Sequence, residues 1–268
     1  ALLHGLIGAH PARRRTAGIE FADYRPYTPG DDLRRVDWNA YARLGSLQIR
    51  QAQAEHETVL GLLVDASPSM TCGRPPKLLL ARRLAAALGY IALAHLDGVL
   101  LAAPGTPLAT SDLLRGQPGT LTLFAALEGL TPGRTAPFDE VLSAWSGRLG
   151  PGRGVVILSD LLLDGYRDGV RRLVATGARV TVLHVLAPDD LHPGPDADLE
   201  LVDSETGALQ EITLDAATRG AYEAAQTAWR AEIAAWCAAQ GAGYLLVESD
   251  WDAERVLLET LRRQGVTR

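Results

Sequence analysis

The chain has 268 residues, 47% of them apolar and 22% charged, with a formal net charge of −6 at pH 7. That length holds one large α/β domain with an extension, or at most two small domains, and the negative balance argues against a general nucleic-acid binder, with Arg13-Arg14-Arg15 the one triple basic run. Two cysteines, Cys72 and Cys237, are too few for a disulfide framework and fit a reducing cytoplasm; no apolar run is long enough to span a bilayer and no signal peptide opens the chain.

In chain order, 1–56 is read as an extended N-terminal arm. Pro29-Gly30 makes a turn in it, because Pro fixes φ and Gly admits positive φ at the next position. Asp31 and Asp32 then stand where they accept backbone N–H bonds and offset Arg34 and Arg35. The run from Thr58 to Val64 has the purity of a buried strand, and it ends at once in Asp65-Ala-Ser67-Pro-Ser69. A helix follows over 77–96, with Leu80, Leu84, Leu88 and Ile91 three to four apart; His95 falls on its apolar side and is read as a core residue. Next come a strand over 98–103 and helices over 120–129 and 138–149, split by the Gly/Pro loop that holds Thr135. A second apolar strand, 154–159, closes on Ser159-Asp160. A helix over 166–175 and a strand over 179–186 continue the α/β alternation. Ser204-Glu-Thr-Gly207 turns a hairpin between 199–203 and 209–214. This hairpin lies in the most acidic stretch, 188–216, which holds nine acids and no Lys or Arg and reads as a solvated face. Asp215 caps a helix to about 239, whose Tyr222, Trp229 and Trp236 recur every seven residues as core packing. A strand over 243–248 and a helix over 251–263 close the chain. The fold class is α/β, a mostly parallel open sheet with helices on both faces. One domain occupies 57–268, with a hairpin insertion around 197–214 and the N-terminal arm ahead of it.

In an open α/β sheet, ligands bind beyond the carboxyl ends of the strands. Asp65 and Asp160 each end a buried strand. With Ser67, Ser69 and Thr135 in neighbouring loops, five oxygen ligands converge. Hard oxygens suit Mg2+, with Mn2+ and Ca2+ as the other candidates. No imidazole or thiolate is spaced to favour zinc or copper, and Cys72 is read as a buried thiol. Asp and Ser after a strand are also ordinary turn and capping residues, so a metal-free reading stays open. Enzyme signatures are absent: Lys77, the one lysine, follows no Gly-rich loop, and Gly150-Pro-Gly-Arg-Gly154 precedes a strand where a dinucleotide fingerprint follows one. No nucleophile elbow occurs. The chain is read as non-enzymatic; the alternative is a magnesium-assisted hydrolase in which Asp65 and Asp160 activate water.

The order Asp65-x-Ser67-x-Ser69, Thr135, Asp160 resembles the metal-ion-dependent adhesion site of von Willebrand factor type A domains, which have a Rossmann-like core. The resemblance implies that Ser67, Ser69 and Thr135 touch the metal directly or through water, that Asp65 and Asp160 supply charge through bound waters, and that a partner's carboxylate fills the open position. Arg134 departs from the small residue usual before that threonine. The block from Gly18 to Arg43, with Glu20, Arg25, Tyr27, Asp31, Asp32, Arg34, Asp37, Trp38 and Arg43 at matching positions, is similar to the signature of the bacterial and archaeal family called domain of unknown function 58. There it precedes a von Willebrand type A core. This block is either a charged lattice bracing the arm or a partner-binding face, and the two are compatible. The resemblance implies a protein-interaction module, an adaptor or chaperone-like partner of a MoxR-type AAA+ ATPase. Many relatives carry membrane helices ahead of the domain; a soluble, cytoplasmic member without membrane insertion is expected here.

Overall fold

The structure is a computed structural model that describes residues 23–29, 31–33, 36–51, 59–95, 97–103, 109–133, 145, 148–162 and 165–263. The chain divides into two compact units, one within 11–57 and the other from Thr58 on.

The smaller unit is more than an extended arm. Strand β1 (Asp23–Pro26) pairs antiparallel with β2 (Gln48–Gln51), and helix α1 (Trp38–Leu44) lies between them in sequence. The helix forms because both of its ends are capped. The Asp37 carboxylate accepts from the N–H groups of Asn39 and Ala40 at 2.9 and 3.0 Å, and Gly45 takes the left-handed conformation (φ 67°) that closes a helix. Val36 and Ile49 are buried and bridge each other.

The larger unit is built on β3 (Val59–Val64), β4 (Gly98–Ala103), β5 (Ala109–Thr110), β6 (Gly154–Ser159), β7 (Arg179–Leu186) and β10 (Gly243–Glu248), in the spatial order β10-β7-β6-β3-β4-β5. All pairings are parallel except β4 with the short edge strand β5. Every residue of β3, β4 and β6 is buried, as strands covered on both faces require. Alternate residues feed opposite cores. Leu60, Leu62, Val64, Val156 and Leu158 pack with helices α2 (Lys77–Ala94) and α3 (Gly116–Glu128). Leu63, Leu100, Val155 and Ile157 pack on the other side with Trp145, helix α4 (Tyr166–Ala175) and the long helix α6 (Ala216–Ala239). A short helix α5 (Pro188–Leu191) follows β7, then the hairpin β8 (Ala197–Val202) and β9 (Leu209–Leu214); α7 (Ala253–Arg263) ends the described chain.

Several expectations are corrected. Helix α3 begins at Gly116, ahead of the expected 120, and Pro118 sits in its first turn, where a missing N–H is harmless. Helix α2 stops at Ala94, so His95 is its C-terminal cap and is exposed, not a core residue. Cys72 is exposed as well. Of the α6 aromatics, Trp229 and Trp236 pack partly against the core, while Tyr222 is exposed and donates its hydroxyl to the Asp190 carbonyl at 2.8 Å. The expected helix over 138–149 falls almost wholly outside the described residues.

The strand order places the switch of direction between β3 and β6: from β3 the chain runs outward to β4 and β5 and returns to pair β6 on the other side of β3. The loop from β3 to α2 is held down at its far end. Ser249 Oγ donates to the Pro75 carbonyl at 2.7 Å, and Gly73, at φ 94°, backs directly onto Ala187. A Cβ on Gly73 would lie 2.2 Å from that of Ala187. Gly73→Ala therefore meets both a conformational and a steric penalty, and is expected to lower stability by about 2 kcal/mol in urea titration.

Candidate metal centre

Asp65 and Asp160 continue adjacent parallel strands, and the Asp65 N–H donates to the Leu158 carbonyl at 2.9 Å, which fixes the two carboxyl ends side by side. This is the crevice at the switch point where open α/β sheets bind ligands. Asp65, Ser67 and Asp160 are fully buried, and Ser69 nearly so.

Asp65 is immobilised by both oxygens: Oδ1 accepts from the Ser67 N–H at 2.8 Å and Oδ2 from Ser159 Oγ at 2.6 Å. The Ser67 and Ser69 hydroxyls lie 2.9 Å apart. Asp160 accepts from the Leu162 N–H through Oδ1 at 3.2 Å, and Leu161 between them takes a positive φ of 59°, a conformation a side chain resists. The Asp160 backbone is pinned from the neighbouring strand by His184 Nε2, 3.1 Å from its carbonyl. A carbonyl only accepts, so Nε2 carries the proton; Nδ1 then accepts from the Tyr244 hydroxyl at 2.8 Å. Burial enforces both states, holding His184 down at about 4 and Tyr244 up at about 12.

Burial and then the neighbouring charge of Asp160 push the Asp65 carboxyl up to about 6, against the hydrogen bonds from Ser159 and Ser67 that favour its ionised form. Two buried carboxylates side by side call for a cation, and Lys77 supplies one. Its ammonium, almost fully buried at the first residue of α2, lies 3.0 Å from Asp160 Oδ2 and 3.1 Å from Asp190 Oδ2. Burial works against that charge, but Asp160 and Asp190 outweigh it and keep the lysine pKa above its ordinary value. A lysine at a helix N-terminus opposes the macrodipole, so this position is explained by the carboxylates it faces. Asp160 Oδ2 is engaged by the Lys77 ammonium, as Oδ1 is by the Leu162 N–H, so each carboxylate oxygen of the pair has a partner. The donor set is two buried carboxylates and two facing hydroxyls, hard oxygens of the kind that would suit a dication such as Mg2+, with Lys77 already holding the position beside Asp160 Oδ2. Among the described residues no group of three or more His, Cys, Asp or Glu could hold a metal, so such a centre depends on the serine hydroxyls.

Four of the five expected ligands come together. Thr135 lies outside the described residues, but Gly133, two positions earlier, donates its N–H to the Ala66 carbonyl at 3.1 Å, which brings that loop to the Asp65 segment. Ser159, Lys77 and Asp190 are additional members that the motif does not contain. The signal for Lys77 is its being the one lysine of the chain, placed at the wrong end of a helix.

The signature residues belong to the other unit. Asp31 accepts from the Thr28 N–H and hydroxyl at 2.9 and 2.8 Å, Tyr27 gives its N–H to the Leu47 carbonyl, and Asp37 caps α1. Asp32 and Arg43 are exposed, and Trp38 is 62% exposed with an edge contact to Tyr41. Arg25 lies on β1; Glu20 and Arg34 lie outside the described residues.

Comparison with known proteins adds the following. The family described as "Protein of unknown function DUF58" matches residues 23–232. An uncharacterized protein of Mycobacterium tuberculosis, Rv1480, is 30% identical over 270 residues, covering 97% of this chain and 84% of the relative. Among solved structures, the conserved hypothetical protein BatB from Bacteroides thetaiotaomicron is 16% identical with a TM-score of 0.48, over 78% of this chain and 100% of the other. A von Willebrand factor type A protein from Catenulispora acidiphila is 12% identical with a TM-score of 0.47, over 78% of this chain and 42% of the other.

Two substitutions test the charge balance. Asp65→Asn keeps one acceptor for the Ser67 N–H, turns an NH2 donor toward Ser159 Oγ in place of the second acceptor, and removes one of two buried like charges. It should raise the stability of the metal-free chain by about 1–3 kcal/mol in urea titration and abolish any further gain from Mg2+. Lys77→Met leaves Asp160 buried without its counter-charge and should lower stability in EDTA by about 3–5 kcal/mol, with part of the loss recovered at saturating Mg2+.

Proposed function

From the premise that this chain belongs to the family described as "Protein of unknown function DUF58", we propose that it is a divalent-metal-dependent protein-interaction module, not an enzyme. Its sheet is of the von Willebrand type A kind, with a mostly parallel order and the paired aspartates at the switch point. The observation that carries the reading is the joining of Asp65, Ser67, Ser69 and Asp160 in one buried cluster, with the serine hydroxyls 2.9 Å apart.

In this reading Ser67, Ser69 and Thr135 would hold the ion, and Asp65 and Asp160 would supply negative charge beside it. Bound Mg2+ supplies a Lewis-acidic position for an incoming carboxylate. The chain's own residues do the rest. Ser159 and the Ser67 N–H fix Asp65, and His184 and the Leu162 N–H fix Asp160, so the donor geometry exists before the partner arrives. The alternative of a magnesium-assisted hydrolase gains no support from this arrangement. A general base needs a carboxylate oxygen free for a water proton, whereas both Asp65 oxygens are engaged and Asp160 faces Lys77.

The family resemblance points to a MoxR-type AAA+ ATPase as partner. The exposed Trp38, Tyr41 and Leu44 of α1 offer apolar anchors of the kind that dominate interfaces, so the signature block serves as a second contact surface. Among the described residues no helix is long and apolar enough to cross a membrane. Affinity capture with the cognate MoxR-type ATPase should succeed in Mg2+ and fail both in EDTA and with Asp65→Ala, while the circular dichroism spectrum stays unchanged. Capture indifferent to both treatments would overturn the reading.

A further inference from the structure

The hairpin β8–β9 has little structural reason to exist. All of β8 and most of β9 are exposed, with Leu199, Leu201, Val202 and Leu209 in contact with solvent, and a lone two-stranded hairpin is marginal in water. Its turn, by contrast, is firmly built. Asp203 Oδ1 accepts from the N–H groups of Glu205 and Thr206 at 2.8 and 3.0 Å, the Gly207 N–H returns to the Asp203 carbonyl at 2.8 Å, and Gly207 takes the positive φ of 73° that the turn requires. This bracing presents one side chain, Glu205, whose Oε1 accepts from the Ser69 N–H at 3.2 Å across 136 positions of sequence. Ser69 is the residue whose hydroxyl faces Ser67 in the candidate metal centre.

We infer that Glu205 is the chain's own guest at this centre: a tethered carboxylate seated on Ser69 where a partner's carboxylate would otherwise dock. The inference rests on the reading above and deepens it by naming what the open position accepts, an acidic side chain offered by a tight turn. A tethered ligand acts at an effective concentration of millimolar order, so an outside guest must displace it, and its apparent affinity falls by the fraction of time the hairpin is seated. The contact is a single hydrogen bond made by an exposed side chain, which suits a guest that must leave.

The test uses the full chain and a thiol reporter. Cys72, exposed and bonded through its N–H to the Ser69 carbonyl at 3.0 Å, lies on the loop that Glu205 touches, and Cys237 is buried. Thr206→Cys puts a second thiol on the turn without removing Glu205. A short bismaleimide should join Cys72 to the introduced thiol, and adding Glu205→Ala should slow that reaction about tenfold, the effect expected for one hydrogen bond to a charged group. An equal rate with and without Glu205 would overturn the inference. Calorimetry with Mg2+ alone keeps the two readings apart. If Glu205 sits at the centre, Glu205→Ala weakens Mg2+ binding by about tenfold, and unchanged affinity contradicts it. If the parent chain binds no Mg2+ at all, the metal reading fails, while the cross-linking, which needs no metal, still decides whether Glu205 holds the hairpin down.

Discussion

Two carboxylates that end adjacent parallel strands, both removed from water, are the constraint around which the larger unit is arranged. Asp65 and Asp160 repel each other where solvent cannot screen them, and the surroundings read as a set of answers to that repulsion. Hydrogen bonds from Ser159 and from backbone N–H groups stabilise the ionised forms, and Lys77 is drawn to the positive end of its own helix to face Asp160 and Asp190. A buried ion pair of this kind is weak evidence for stability as such. A fold seeking only stability would fill this space with apolar side chains, as it does one residue earlier on β3 with Val64 and a few residues further with Met70. Charge kept at the crevice of an α/β sheet against that tendency is what makes this cluster the candidate site.

The lysine divides the site into two halves with different tasks. On one side, the segment that carries Asp65 and the serines meets the Gly133 loop through the Ala66 carbonyl. On the other, Lys77 and Asp190 border a cleft of about 290 Å³ lined by Leu162, Leu186, Tyr222 and Trp229. A cation fixed in the protein already holds the Asp160 carboxylate, so on the proposed reading an incoming dication would have to compete with Lys77 for it. The hairpin turn then reaches the solvent side of the same cluster through Glu205. The centre is thus bounded by a built-in cation beneath and a built-in anion above.

Much of this was legible in the residues. Long, purely apolar strands that end in Asp, and helices with apolar residues three to four apart, carry their own signal because burial on both faces leaves no other composition. The pairing of Asp65 with Asp160 followed from both strands ending on a carboxylate. Local reasoning failed where the decisive partner is remote in sequence. Lys77 is explained by Asp160 and Asp190, and Glu205 by Ser69, none of them nearby along the chain. The expectation of a core His95 fails because periodicity does not say where a helix ends, and the end of α2 at Ala94 leaves that ring in solvent. The helix in the arm escapes the sequence pattern because seven residues carry too short a period to detect, although Asp37 and Gly45 mark its two ends.

Anomalous diffraction from crystals of the full chain grown with Mn2+ addresses the central claim most directly. The account predicts one anomalous peak within bonding distance of Ser67 Oγ and Ser69 Oγ, on the Asp65 and Asp160 side, absent from Asp65→Asn crystals. A well-ordered cluster with no peak, or a peak elsewhere on the surface only, would contradict it.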